Sequence, residues 1–277
     1  MIYLDNNATA PLLPEAAEAM AECARRCFGN PASQHAAGRR ARQALEDARE
    51  GIAELLGVNL NGAPADRLIF TSGGTEANNL AMFGLAGERP AHLIVSELEH
   101  PSVIGPAELL AQRGWHVDRL GVAPDGRVIV EQLAERLRPD TRLVAVMLGN
   151  NETGVLQPVE PIARLCQAAG VPLLTDAVQV VGKLPVNFRA LGVTAMTIAA
   201  HKFHGPIGVG ALVLRAGVTV EPRLLGGHQQ AGLRPGTEAV PLIVGMHAAL
   251  SAWGREQDAR RQRLESLREQ FERTLLA

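Results

Sequence analysis

The sequence predicts an α/β fold, a mostly parallel sheet of about seven strands flanked by helices. Three observations carry this expectation. From residue 68 onward, short apolar runs alternate with segments of helical period, the pattern of a parallel sheet covered on both faces. The polar clusters fall just after those apolar runs, at the strand ends where open parallel sheets bind ligands. The length, 277 residues with 47% hydrophobic and 20% charged, is that of a globular chain able to bury a large core.

The elements follow in order. Residues 3–11, YLDNNATAP, read as a short extended piece and a polar turn. Pro14 opens a helix to about Cys27, proline being tolerated in the first turn, and Gly29-Asn30-Pro31 breaks it. Ser33 is the expected N-cap of a second helix, with Ala37, Ala41, Leu45, Ala48, Ile52 and Leu55 on one face and Gly57 at its end. Strands are expected at 68–71, 92–96, 116–120, 143–148, 173–176, 195–199 and 210–214. Helices are expected at 76–87, 101–113, 129–137 and 159–169. Residues 242–277 read as one long helix, bent near Gly254, with Leu264, Leu267, Phe271 and Leu275 at helical spacing. No glycine, asparagine or proline closes that helix, which is the expectation for an interrupted chain.

Composition excludes several classes. A formal net charge of -2 gives no sign of nucleic-acid binding. There is no apolar run of about 18 residues, so no membrane span is expected. The start, Met1-Ile2-Tyr3-Leu4-Asp5, lacks the basic and apolar regions of a signal peptide, and a cytoplasmic location is the expectation. Three cysteines, Cys23, Cys27 and Cys166, do not make a disulfide framework. Neither the Cys23/Cys27 pair nor the His201/His204 pair has further ligands at metal-binding spacing, so no metal centre is expected.

The chemistry-bearing residues cluster around Lys202. The chain has only two lysines, Lys183 and Lys202, and Lys202 lies between two histidines before a Gly-Pro turn. A lysine that forms a Schiff base needs a neutral amine, which a partly buried electropositive setting provides. Ser72-Gly73-Gly74-Thr75-Glu76 runs from a strand into a helix and reads as a phosphate cradle or as an ordinary turn. His100 follows the second strand, where it either lies flat over a planar ring or caps its own helix. Asn150-Asn151 follows another strand, as a turn or as donors to a ring oxygen. Asp176 ends a buried strand, where a carboxylate needs a positive partner. A protonated pyridine nitrogen is such a partner. Asp176 with Lys202 therefore makes the two-point grip that pyridoxal 5'-phosphate (PLP) requires.

These segments resemble the cysteine desulfurases, class-V enzymes of the fold type I PLP-dependent transferases. The resemblance rests on YLDNNATAP at 3–11, FGNPAS at 28–33, FTSGGTEANNLA at 70–81, EHPSV at 99–103, NNETGVLQP at 150–158, TDAVQVVGKLPV at 175–186, AHKFHGPIGVGAL at 200–212 and GGHQQAGLRPGTEAVPLIVGM at 226–246. It implies Lys202 as the Schiff-base lysine, Asp176 as the partner of the pyridine nitrogen, and His100 stacked on the ring and moving protons. It implies that Asn151 and Gln179 bond near the ring and its phenolic oxygen. Gly74, Thr75 and His201 would hold the phosphate. Thr237 would reach the phosphate of the other subunit of a homodimer. The implied reaction converts L-cysteine to L-alanine and passes the sulfur as a persulfide to an acceptor or scaffold protein in iron–sulfur cluster or thio-cofactor assembly. A selenocysteine lyase, another β-elimination enzyme and a catalytically silent PLP-binding module are the alternatives.

The sequence departs from the family at two places. Ala199 and Ala200 stand where the family carries a phosphate-binding serine, a loss of roughly 1 kcal/mol of hydrogen bonding. The family's nucleophilic cysteine and carboxylate-binding arginine belong to a C-terminal small domain, and none of the three cysteines here matches that motif. The resemblance thus implies a PLP-binding large domain over 1–240, with 1–15 packing with the small domain, and a helix over 241–277 leading to an absent or truncated small domain. Such a chain is expected to bind PLP without completing sulfur transfer by itself.

Overall fold

The structure is a computed structural model and describes residues 2–276. Two helices, α1 (Pro14–Arg26) and α2 (Ala36–Leu55), precede the sheet. The alternating part runs β1 (Arg67–Thr71), α3 (Gly74–Ala86), β2 (His92–Ser96), α4 (Pro101–Gln112), β3 (His116–Leu120), α5 (Val130–Arg136), β4 (Thr141–Ala145), α6 (Val159–Ala169) and β5 (Leu173–Asp176). The four-residue α7 (Phe188–Leu191), β6 (Ala195–Ala199), β7 (Gly210–Leu214) and α8 (Val240–Leu276) complete it.

The seven strands form one sheet in the order β1-β7-β6-β5-β4-β2-β3. Only β7 runs against its neighbours. It pairs antiparallel with both β1 and β6, while the other pairs are parallel. Thr71 and Ala199 both register with Gly210, so the ends of β1 and β6 meet the start of β7 on one edge of the sheet. That edge also receives the end of β5, since Asp176 registers with Thr197 of β6.

Both faces of the sheet are covered, which explains strands that are apolar without alternation. Along β2, Leu93 and Val95 pack with Ala77, Leu80 and Ala81 of α3 and Val103 and Ala107 of α4. Ile94, between them, belongs to the opposite layer, with α6 residues Ile162 and Ala163. The same layer takes Leu45 and Ile52 of α2 and Met246, Leu250 and Trp253 of α8.

Two boundaries differ from the sequence expectation. The cap of α2 is His35, not Ser33: its side chain accepts from the Gly38 N–H, while Ser33 sits in the preceding turn with its N–H on the Asn30 carbonyl. An imidazole nitrogen satisfies an orphan helix N–H as a hydroxyl does. The last helix starts at Val240 and runs without interruption past Gly254. Its first half is buried, from Val240 to Trp253, and packs on α1 and α2. Leu264, Leu267, Phe271 and Leu275 of its second half are exposed.

Gly210 is required by close approach. A Cβ there would lie 2.6 Å from the Ile198 carbonyl oxygen and 2.7 Å from the Gly73 carbonyl carbon, both backbone atoms that cannot swing away. Gly210→Ala should therefore destabilise the chain by about 1–3 kcal/mol, measured by urea denaturation. An unchanged midpoint would show that β6 and the Gly73 turn can separate without cost.

Candidate active site

At the edge where β1, β5 and β6 end, a cavity of about 470 Å³ opens. Gly74, Thr75, His100, Asn151, Asp176, Gln179, His201 and Lys202 all line it. Eight residues drawn from five separate segments thus share one cavity. Thr237 does not: it is exposed on the loop before α8 and is not among the lining residues.

Asp176 sits at the floor, buried at the end of β5. Its Oδ1 accepts from the Val178 N–H at 2.9 Å, and its Oδ2 from Asn78 Nδ2 at 2.7 Å. Asn78, also buried, donates to Ser102 Oγ and accepts from Thr197 Oγ1. Burial pushes the Asp176 carboxyl up from its ordinary pKa, against the pull of Val178, Asn78, His100 and Lys202. Its two bonds leave lone pairs free on the cavity side.

Lys202 lies in a single 3-10 turn directly after β6. Its Nζ donates to the carbonyl oxygens of Asn7 (2.6 Å) and Ala8 (2.9 Å). Burial lowers its pKa, opposed by the charges of Asp176 and Asp5. The segment that meets it is the N-terminal turn, pinned by the Ala10 N–H to the His201 carbonyl and the Leu13 N–H to the His204 carbonyl. Gln179 Nε2 and Lys183 Nζ also bond Asn7, and Lys183 donates to Gln179 Oε1 at 2.6 Å. Both lysines of the chain therefore converge on Asn7. Burial, helped by the Lys202 charge, brings Lys183 down to about 8.

His100 bears out its reading as a helix cap. It is the N-cap of α4, its Nδ1 accepting from the Ser102 N–H at 3.1 Å, and it also lines the cavity. His201 places Nδ1 3.1 Å from Thr9 Oγ1, and burial and the Lys202 charge lower its pKa. Of the two asparagines, Asn150 builds the turn, its Oδ1 accepting from the Glu152 and Thr153 N–H groups, which leaves Asn151 on the cavity.

The residues fit PLP by the chemistry of the donor set. A buried carboxylate with free lone pairs faces the same space as an amine whose pKa burial lowers. The start of α3 presents N–H groups without intrahelical acceptors. Gly74 keeps that start open, since a Cβ on it would meet Val178 Cγ2 at 2.9 Å and Ala199 Cβ at 3.5 Å. Ala199 lines the cavity, and no hydroxyl stands at that position.

The sequence reading missed Asn7, Asn78, Lys183 and Glu99. Asn78 and Thr197 carry a faint signal, each a polar residue inside an apolar element. Glu99 is buried beside His100, its Oε1 accepting from Ser96 Oγ (2.6 Å) and the Met147 N–H (2.7 Å), while Oε2 has no partner. Burial raises its pKa from 4.5 to about 7, Ser96 and Met147 opposing.

A family model described as "Aminotransferase class-V" matches residues 2–277. A relative named cysteine desulfurase IscS, from Dictyoglomus turgidum, is 42% identical over 273 residues, which are 98% of this chain and 68% of the relative. Among solved structures, a NifS-like protein has a TM-score of 0.94 at 36% identity, over 99% of this chain and 75% of its own. Another, titled SspA in complex with cysteine, has a TM-score of 0.85 at 34% identity, over 91% and 72%.

Two outcomes follow from the buried groups. A carboxyl whose pKa is higher in the folded than in the unfolded chain holds its proton more tightly when folded, so stability falls as pH rises between the two values. Glu99 should thus cost on the order of 3 kcal/mol between pH 4.5 and 7. Urea melts across that window should slope downward in the native chain and less in Glu99→Gln; equal slopes would show that Glu99 does not titrate there. Asn78→Ala, which strips partners from Asp176 and Thr197, should lower stability by about 1–3 kcal/mol in the same melts.

Proposed function

We propose, from the premise that this chain belongs to the aminotransferase class-V family and to its cysteine desulfurases, that it uses PLP to take sulfur from L-cysteine, leaving L-alanine. The observation that carries this reading is the pairing of Asp176 and Lys202 across one cavity. When bound, PLP supplies a pyridinium that withdraws electrons from the substrate carbon.

The chain's own residues have these tasks in the proposal. Lys202 binds the cofactor through Nζ, leaving the Asn7 and Ala8 carbonyls to do so. Its amine is drawn toward the neutral form by burial, the form that can bond covalently or accept a proton. Asp176 holds the pyridine proton at Oδ2 or Oδ1, and a positive partner there offsets the cost of its burial. His100, fixed at its Nδ1 by Ser102, covers the ring with its orientation set and moves protons. Gln179 and Asn151 bond near the phenolic oxygen, with Gln179 oriented by Lys183. Gly74, Thr75 and His201 hold the phosphate. Thr237, exposed outside this cavity, reaches the phosphate of the partner subunit in a homodimer.

Sulfur transfer needs a thiol that takes the sulfur as a persulfide. Cys23 and Cys166 are buried, burial raises their thiols to about 11 and about 12, and neither they nor Cys27 line the cavity. The accepting thiol in this proposal is therefore none of the three. Residues 1–240 act as the PLP-binding large domain and 241–277 as the helix leading to a small domain that brings the thiol. Among the described residues no helix is long and apolar enough to cross a membrane; a cytoplasmic place and delivery of sulfur to iron–sulfur cluster assembly complete the reading, in keeping with the name of the relative.

The absence of a cavity thiol among the described residues also favours a second reading, a chain that binds PLP and cysteine without passing sulfur on. One experiment addresses both. Borohydride should fix PLP covalently to the native chain and not to Lys202→Ala, and a native chain left unlabelled would overturn the assignment of Lys202. With labelling established, alanine formed from cysteine in the presence of an added thiol supports the desulfurase, and its absence supports the second reading.

A further inference from the structure

At the opposite edge of the sheet, the first halves of two strands, β2 and β3, bring together His92, His116 and Asp118. His92 and His116 open β2 and β3 and are registered partners in the parallel pair, with ring centroids 5.4 Å apart. Asp118 follows two residues after His116 and so points to the same face of β3. The Nε2 of His92 is 3.1 Å from Asp118 Oδ2, and the Nε2 of His116 is 3.1 Å from Asp118 Oδ1. One donor atom from each residue lies within 4.8 Å of the others. Ligands held about 2.0–2.1 Å from a tetrahedral zinc stand roughly 3.3 Å apart, so little movement is needed to close on an ion.

Two of the three residues already face a cation. Arg138, from the turn before β4, brings Nη2 to 2.8 Å from His116 Nε2 and 3.1 Å from Asp118 Oδ2. A guanidinium only donates, so the Arg138 contact suits the His116 tautomer with Nε2 unprotonated, the form that ligates a metal, while the Asp118 contact suits the tautomer that carries Nε2–H. Arg138 is 42% exposed at its side chain and can leave toward solvent, whereas His92 is fully buried and fixed. The far nitrogen of His92, Nδ1, lies 2.8 Å from Thr141 Oγ1, which also accepts from the Arg138 N–H. Such an outer hydrogen bond is what orients a metal-bound imidazole.

We propose that His92, His116 and Asp118 form a site for a divalent transition ion of the zinc class, with three protein ligands and a fourth position open to water, Arg138 being the cation displaced. The ion clamps β3, the edge strand and the least buried of the seven, to β2. This site stands apart from the cofactor cavity, none of whose lining residues it shares. The sequence reading foresaw no metal because the ligands are not at helix or finger spacing. Two are at strand spacing, and the third comes from the neighbouring strand.

The test is zinc titration of the tag-free chain against a chromophoric chelator, with melting temperatures taken in zinc and in EDTA. Saturable binding is expected, with a higher melting temperature in zinc. His116→Ala and Asp118→Asn, both at the surface edge, should weaken binding at least about tenfold and remove the thermal shift. Arg138→Ala should tighten it by removing the competing cation. No saturable binding, or binding unchanged in His116→Ala and Asp118→Asn but lost in Cys27→Ser, would overturn the proposal.

Discussion

The rest of the structure depends on burying one carboxylate, that of Asp176, at the end of a central strand. An ionised group out of water needs donors and a positive partner. The donors come from its own following turn, through Val178, and from the first helix of the alternating region, through Asn78. Asn78 in turn needs Thr197 on β6 and Ser102 on α4. One buried charge thus fixes the relative position of β5, β6, α3 and α4. Those are the elements whose ends carry Lys202, the Gly74–Thr75 turn and His100.

A second set of bonds closes the site from the far end of the chain. The turn at 6–8 is exposed and has no core of its own, yet it is held by the side chains of Gln179, Lys183 and Lys202, and the segment after it by backbone bonds from Ala10 and Leu13 to the lysine turn. Lys202 is therefore balanced between effects of opposite sign: burial favours the neutral amine, and Asp176 and Asp5 favour the ammonium. Its two carbonyl acceptors suit either form, since both can donate.

Much of this was legible in the sequence because the signals were local. The residues that line the cavity lie just past apolar runs, and an apolar run that ends in Asp or leads into His-Lys marks a strand end whether or not the partner strand is known. The order β1-β7-β6 was not legible: β7 is as apolar as its neighbours, and nothing local reports its reversed direction. Asn78 and Glu99 escaped for a different reason. Each matters through atoms on other elements, and only the packed structure shows that Glu99 Oε2 is buried without a partner. Ser33 misled because the better-placed acceptor, His35, is a residue type not ranked among caps.

The two edges of the sheet divide the polar chemistry between them, and the division follows from topology. Parallel strands align their carboxyl ends, so helix starts and turn N–H groups collect on one edge, where an anionic, phosphate-bearing cofactor suits them. At the amino ends the approaching segments are helix ends and turns whose free groups are carbonyls, an environment that favours cations. His92, His116 and Asp118 lie there, and the latter two bond Arg138. A guanidinium drawn to the Asp118 carboxylate and the His116 ring is the same electrostatic preference, expressed by a side chain, that a divalent ion would satisfy with shorter bonds. The buried histidine at that edge is neither an accident of packing nor an extension of the cofactor cavity. Its two nitrogens are both committed, to Thr141 and to Asp118, and that commitment joins the edge strand to a sheet whose other strands are held by burial on both faces.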